Sequence, residues 1–291
     1  MKISIQRTIQ LFFLLFLQRK SLNDFTFLPK RAINNRILPV SASNDIYYFP
    51  SYIFSKKMAN ILMIETSTKA CSVALSHDFN IEFKRETLEG PNHASALGSY
   101  VQEAMEFARQ HQMMPDAIAV SAGPGSYTGL RIGVSEAKGL AFGLQKPLIA
   151  ISTLKAMCCQ VMFRPDVMMD EGALYCPMID ARRMEVYCAL YDQALGEVRA
   201  VSAEVVDAGF LREVLDEHVI YFFGDGADKC QEVITHPNAR FITGVRVLAR
   251  DMMALAIQAF NRNQFEDTAY FTPFYLKEFQ ASKPKDPFQG I

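Results

Sequence analysis

The sequence predicts an α/β protein made of two similar halves, and three observations predict it. Each half opens on a strand, a turn and a second strand, at 61–75 and at 175–191. Each later runs a strand into a glycine-rich turn and a helix, at 117–144 and from 219 through Gly224-Asp225-Gly226. Half of the 291 residues are hydrophobic and 21% are charged, the balance of a chain that buries a core. At about 150 residues per domain, that length suggests roughly two.

Ile61-Leu62-Met63-Ile64 reads as a short buried strand. Cys71 to Leu75 alternates and pairs back as a hairpin across the turn 65–70, and 81–85 extends the sheet. A helix is predicted over 93–112, capped by Asn92, with Leu97, Tyr100, Val101, Ala104, Met105 and Ala108 on one face. A strand at 117–121, a tight loop at 123–129 and a helix at 130–144 follow. That helix has the apolar line Leu130, Val134, Ala137, Ala141 and Leu144, and the stretch carries Gly129, Gly133, Gly139 and Gly143. Glycine inside a helix costs about 1 kcal/mol against alanine, a loss that makes sense where another backbone comes close. A strand at 148–151 leads into a helix from Thr153, and 164–172, with Pro165, reads as a linker. The second half is predicted to hold strands at 175–180, 185–191 and 219–223, a long helix over 245–261 and a loose tail at 280–291. The expected units are therefore 1–57, a first lobe at 58–163, and a smaller second lobe at 173–291 that includes the C-terminal helix and tail.

Residues 1–57 differ from the rest. They hold nine Lys and Arg against two acids, a net of +7, so the remainder stands at −8. A body at −8 is poorly suited to grip nucleic acid alone, because phosphate binding rests on clustered cations. Lys2 and Arg7 before the apolar run from Leu11 to Leu17 resemble a signal peptide, yet Gln18-Arg19-Lys20 follows in place of a cleavage site. Met58-Ala59-Asn60 stands directly before the first strand as a plausible start. We read 1–57 as an over-extended gene start or a loose extension, with a secretion signal or a lipid- or partner-binding arm as alternatives. No apolar stretch reaches the roughly 20 residues of a membrane span. Six cysteines without a CxxC pair read as the reduced, buried thiols of a cytoplasmic protein. Five histidines without HxxxH or HExxH exclude a helix-borne zinc pair.

Three turns could carry chemistry. Gly123-Pro124-Gly125, between a strand and a helix, could cradle a phosphate with backbone N–H groups. It lacks the Lys of a Walker A loop, and Thr128 stands where a dinucleotide fingerprint has its third glycine. The plain alternative is a tight turn with close helix packing. Glu65-Thr66-Ser67 could offer hydroxyls to a phosphate, with Glu65 on a metal-bound water, or be a polar hairpin turn. Gly224-Asp225-Gly226 could be a second phosphate or ribose contact, or again a turn. The cofactor-binding candidates are thus Glu65, Ser67, Gly123, Gly125, Gly224, Asp225 and Gly226. No catalytic nucleophile emerges: Ser126 and Thr128 sit in no GxSxG elbow, and Cys158-Cys159 lies on an apolar helix.

Several runs resemble the bacterial TsaB (YeaZ) family. They are 61–68 (ILMIETST), 121–133 (SAGPGSYTGLRIG), 138–141, 180–187 (DARRMEVY), 224–227 and Pro273-Phe274-Tyr275-Leu276. The resemblance spans about 58–280 and none of 1–57. It implies a two-lobed actin-like fold of the sugar-kinase and Hsp70 (ASKHA ATPase) group, with ribonuclease-H-like lobes. It also implies a non-enzymatic accessory subunit in making N6-threonylcarbamoyladenosine at position 37 of tRNAs that read ANN codons. The implied partners are a TsaD-type transferase, which it would activate, and a TsaE-type ATPase, with a homodimer when alone, tRNA reached only indirectly, and no membrane. No cofactor is required, and weakly held ATP or ADP with magnesium is left open. His93 followed by Leu97 fits the inactive glycoprotease-like pattern, first His kept and second lost. Glu65 departs from the usual Asp of the family, which puts nucleotide binding in doubt. The partner interface implied lies on the two first-lobe helices, at Leu97, Tyr100, Val101, Met105, Arg131, Val134 and Lys138; the alternative is that these stripes pack on their own sheet. A second class of function is an ATP-dependent phosphotransferase with Glu65 and Asp180 as its carboxylates.

Overall fold

The computed structural model describes residues 37–42, 45–50, 59–88 and 93–277. The rest of 1–57, Asn92 and the 280–291 tail lie outside the described residues. Strands β1 (Ile37–Ala42) and β2 (Asp45–Pro50) form an antiparallel hairpin where the sequence shows no strand period. Such pairing rests on backbone groups and needs no side-chain alternation.

The first lobe comprises β3 (Asn60–Glu65), β4 (Cys71–His77), β5 (Asn80–Thr87), α1 (His93–Gln110), β6 (Ala117–Gly123), α2 (Tyr127–Leu144), β7 (Leu148–Ser152) and α3 (Thr153–Met162). The second comprises β8 (Leu174–Asp180), β9 (Glu185–Tyr191), β10 (Glu197–Val205), α4 (Arg212–Glu217), β11 (Ile220–Phe223), α5 (Asp225–Asp228) and β12 (Ala239–Ile242). A 3-10 helix (Ala249–Met252) and α6 (Met253–Asn261) follow. One sheet runs β5-β4-β3-β6-β7 and the other β10-β9-β8-β11-β12. In both, the first three strands pair antiparallel and the last two join in parallel. The duplication that the sequence shows only as an order of elements is a duplication of topology.

Three apolar layers hold the sheets. Leu62, Ile64, Val73 and Leu75 pack outward under α1 and α2. Cys176, Met178, Cys188 and Phe222 pack outward in the second lobe against Leu215 and Cys230. The inner faces share one cluster, in which Ile61, Met63 and Ile149 join Leu154, Met252, Ile257, Tyr175 and Phe223. The C-terminal segment follows the second lobe in sequence but covers the first: the 3-10 helix lies on β3, β4 and β6, and α6 on β3 and β7.

Two local expectations are corrected, and three elements lie where none is expected. The long helix over 245–261 is shorter, because Leu248 is extended (φ −132°) and its N–H donates to the Asp251 carboxylate at 2.8 Å, capping a later start. The apolar run that suggests helix at 245–248 reflects burial, with Val245 and Val247 in the shared core and Leu248 buried beside it. Helix α2 begins at Tyr127 and not Leu130, because Ser126 caps it, its Oγ accepting from Gly129 N–H at 3.3 Å. Strands β10 and β12 and helix α4 carry no clear period; β10 is an edge strand, exposed at its start and offset twice in register against β9.

Candidate functional site

Glu65 ends β3 and is fully buried. Its Oε1 accepts from the Ser67 N–H at 2.6 Å and from the Ser67 hydroxyl, while Oε2 has no partner. Burial pushes its carboxyl up to about 7, against the pull of the Ser67 hydrogen bonds. Asp251, across in the 3-10 helix, is likewise raised to about 7 by burial, with Glu65 adding to the rise. Among the described residues, no group of three or more His, Cys, Asp or Glu could hold a metal ion.

The glycine turns are filled by the chain itself. A Cβ on Gly123 would stand 2.5 Å from the Phe274 carbonyl oxygen, and one on Gly125 2.3 Å from that of Ser67. On Gly224 it would meet the Met178 carbonyl oxygen at 2.3 Å, and on Gly226 the Ile179 carbonyl carbon at 2.8 Å. The Ser126 N–H, a natural phosphate donor, is given to the Ser67 carbonyl at 2.7 Å. A phosphate at Gly123 would face the negative end of the Phe274 carbonyl, which favours the tight turn over a phosphate cradle there. What comes close to the helix glycines is one side chain and not another backbone. Thr66 donates to the Gly129 carbonyl at 2.7 Å, and a Cβ on Gly133 would lie 2.1 Å from the Thr66 hydroxyl. Gly139 and Gly143 face open space.

Asp225 accepts from the Asp180 N–H at 3.1 Å and is raised by burial. Burial also pushes Asp180 upward, but the Lys229 ammonium and the Arg182 N–H hold it below the usual range. Neither Glu65 nor Asp180 is thus a carboxylate without partners. None of the six cysteines forms a disulfide, and all are buried.

The residues expected at an interface divide. Leu97, Val101, Met105 and Val134 are buried against their own sheet, so the apolar stripe is core and not a free face. Tyr100 is half-buried and bonds the Thr87 hydroxyl. Lys138 turns aside to donate to the carbonyls of Ala269 (3.1 Å) and Phe271 (3.0 Å). Arg131 is exposed, with its guanidinium over the Tyr127 ring. What α2 offers outward was missed by periodicity: Phe142 is 81% exposed between the open Gly139 and Gly143. The signal was available as an aromatic lying off the apolar line.

Lys138 holds a strap that the sequence did not reveal. Beyond α6, Glu266 bridges edge strand β7 at Leu148, its N–H 2.9 Å from the Leu148 carbonyl. Tyr270 stands 83% exposed between the two clamped carbonyls. The Phe274 N–H donates to the Ala122 carbonyl at 2.7 Å, Tyr275 packs on Tyr127, and Lys277 reaches the second lobe at Glu185.

Two ribonuclease-H-like lobes in tandem, sharing a core across the gap, define the class: the two-lobed actin-like fold of the ASKHA ATPases. The family model for TsaD, the tRNA N6-adenosine threonylcarbamoyltransferase, matches residues 87–283. The Escherichia coli K12 protein "tRNA threonylcarbamoyladenosine biosynthesis protein TsaB" is 32% identical over 232 residues, covering 77% of this chain and 96% of that protein. Its Haemophilus influenzae namesake is 35% identical over 160 residues, 55% of this chain and 63% of that one. The solved structure of YeaZ from Pseudomonas aeruginosa superposes with a TM-score of 0.62 at 29% identity, covering 75% of this chain and all of that one. The chain belongs to the TsaB (YeaZ) family.

Proposed function

We propose that this chain is a non-catalytic partner subunit in forming N6-threonylcarbamoyladenosine at position 37 of tRNAs reading ANN codons, and that it binds and activates a TsaD-type transferase. The observation that carries this reading is the outer face of α2, where Phe142 stands exposed between two glycines with nothing above them. Glycines let a second helix approach closely, and an exposed aromatic gives it an anchor. The names of the relatives support the pathway, and the match to the TsaD model supports a partner of similar fold. A TsaE-type ATPase joins the pair, and without its partners the chain pairs with itself through the same face. The transferase carries most of the tRNA contacts, which suits a body at −8. The chain needs no nucleotide of its own, in keeping with turns filled by its own carbonyls. Its place is the cytoplasm; no helix among the described residues is long and apolar enough to cross a membrane. The phosphotransferase alternative has both its carboxylates engaged, Glu65 by Ser67 and Asp180 by Lys229.

The test is the mass of the mixture with the same organism's transferase, by size exclusion with light scattering. An equimolar complex should replace the free species, and Phe142→Glu should prevent it without changing the thermal midpoint. No association of the unaltered chain, with or without ATP and magnesium, would overturn the reading.

A further inference from the structure

The β8–β9 turn carries two residues in succession with left-handed backbone, Arg182 at φ +74° and Arg183 at φ +51°. Glycine or asparagine makes such a turn without strain, and a long side chain there is costly. Backbone strain of this kind persists where the surroundings impose it, and it gathers at functional sites. Here the surroundings impose it fully. The Ala181 N–H donates to the Glu185 carbonyl and the Glu185 N–H to the Arg182 carbonyl, both at 3.1 Å. The Arg182 N–H is held by the Asp180 carboxylate at 2.9 Å, and Lys229 donates to the Glu185 carbonyl at 2.7 Å.

The charges around the turn are already matched. Asp180 pairs with Lys229, Glu185 with Lys277 of the strap, and Asp228 with Arg246. Asp225 is taken by the Asp180 N–H. Both arginine side chains are exposed, and among the described residues neither has an ion-pair partner. Two uncompensated guanidinium groups therefore project from a rigid turn in a body whose net charge is −8.

We propose that the Arg182-Arg183 turn is a contact for the phosphodiester backbone of RNA. Guanidinium forks match phosphate oxygens in pairs, and a pre-set turn loses little freedom on binding. A carboxylate-bearing protein surface would satisfy the same forks; the kinship with tRNA-modification proteins favours RNA. The inference rests on the partner-subunit reading for its setting, and gives the chain a direct hold on the tRNA where the net charge alone suggests an indirect one. A backbone contact carries no base preference, so it orients the RNA and does not select it.

The experiment is a titration of tRNA into the chain–transferase complex across a salt series. Replacing both arginines by glutamine should weaken binding about 3- to 30-fold near 0.1 M salt and lower the slope of log affinity against log salt by about 1–2. The loss should be equal for tRNAs of different sequence, with the mass of the complex unchanged. Arg182→Lys with Arg183→Lys should keep the slope. An unchanged slope in the glutamine variant overturns the proposal. So does loss of the protein complex with the slope retained, which would assign the turn to an acidic protein surface. Where no complex forms, the partner reading fails, and the same titration on the chain alone decides this one.

Discussion

At the end of the fourth strand of each sheet stands a glycine in nearly the same conformation, Gly123 at φ +106° and Gly224 at φ +107°. Their surroundings differ. The carbonyl pressed on Gly224 belongs to Met178 in β8, the central strand of its sheet, while the one pressed on Gly123 belongs to Phe274 in the strap. The helix that follows runs 18 residues in the first lobe and 4 in the second. Repetition of the fold has kept the backbone path and released what the path is used for. At Gly224 the chain closes on β8 and on the Met157 side chain of α3; the first lobe extends into a long helix with one face in its core and one left open.

The sharpest break of this comparison is a methyl group on each glycine. Gly224→Ala should cost more than about 3 kcal/mol, from a left-handed φ and a clash with a strand that cannot yield. Gly123→Ala should cost less, because the strap can shift, and it should speed exchange of the Phe274 amide. Urea unfolding with amide exchange checks both, and equal losses would show that the two turns are equally rigid. The two sides of the first-lobe helices come next. Leu97→Ala should lose about 2–4 kcal/mol to a core cavity, and Phe142→Ala less than about 0.5 kcal/mol.

A third effect depends on pH. The raised carboxyl of Glu65 means that the folded protein holds a proton which the unfolded chain has released. Its share of stability is therefore greatest at acid pH and falls as pH climbs from about 4.5 to about 7, by up to about 3 kcal/mol. Glu65→Gln should flatten that fall in thermal midpoints measured from pH 5 to 8, leaving the part due to Asp251. The smallest effect contrasts the helix glycines. Gly139→Ala should gain up to about 1 kcal/mol in thermal unfolding, since nothing stands where the methyl would go, while Gly133→Ala should lose stability against Thr66.

These contrasts mark what was legible in the sequence. Alternation and helical period placed β3, β4, α1, β6 and β7 within a few residues, because each buries one well-defined face. Period alone could not say what covers a face, so Leu97, Val101 and Met105 were equally open to a partner or to their own sheet. The strap stayed hidden for a different reason. Its hold lies in the N–H groups of Glu266 and Phe274 and the carbonyls clamped by Lys138, none of which leaves a pattern in side chains. The glycines of 123–129 were legible as a place of close approach, but what approaches comes from residues far along the chain. Strand β10 was lost to its exposure at the sheet edge, where polar and apolar residues serve equally.

The first sheet is complete in sequence at Ser152, yet one side of it is roofed by Met252 and Ile257, a whole lobe further on. A ribosome that has released every strand of that sheet has still to make its cover. Until then α3 covers β6 and β7, while the part of that side under Met252 and Ile257 lacks its native cover. The lobes follow one another in the gene but not in time: the half that is synthesised first must wait for the other before it can finish folding.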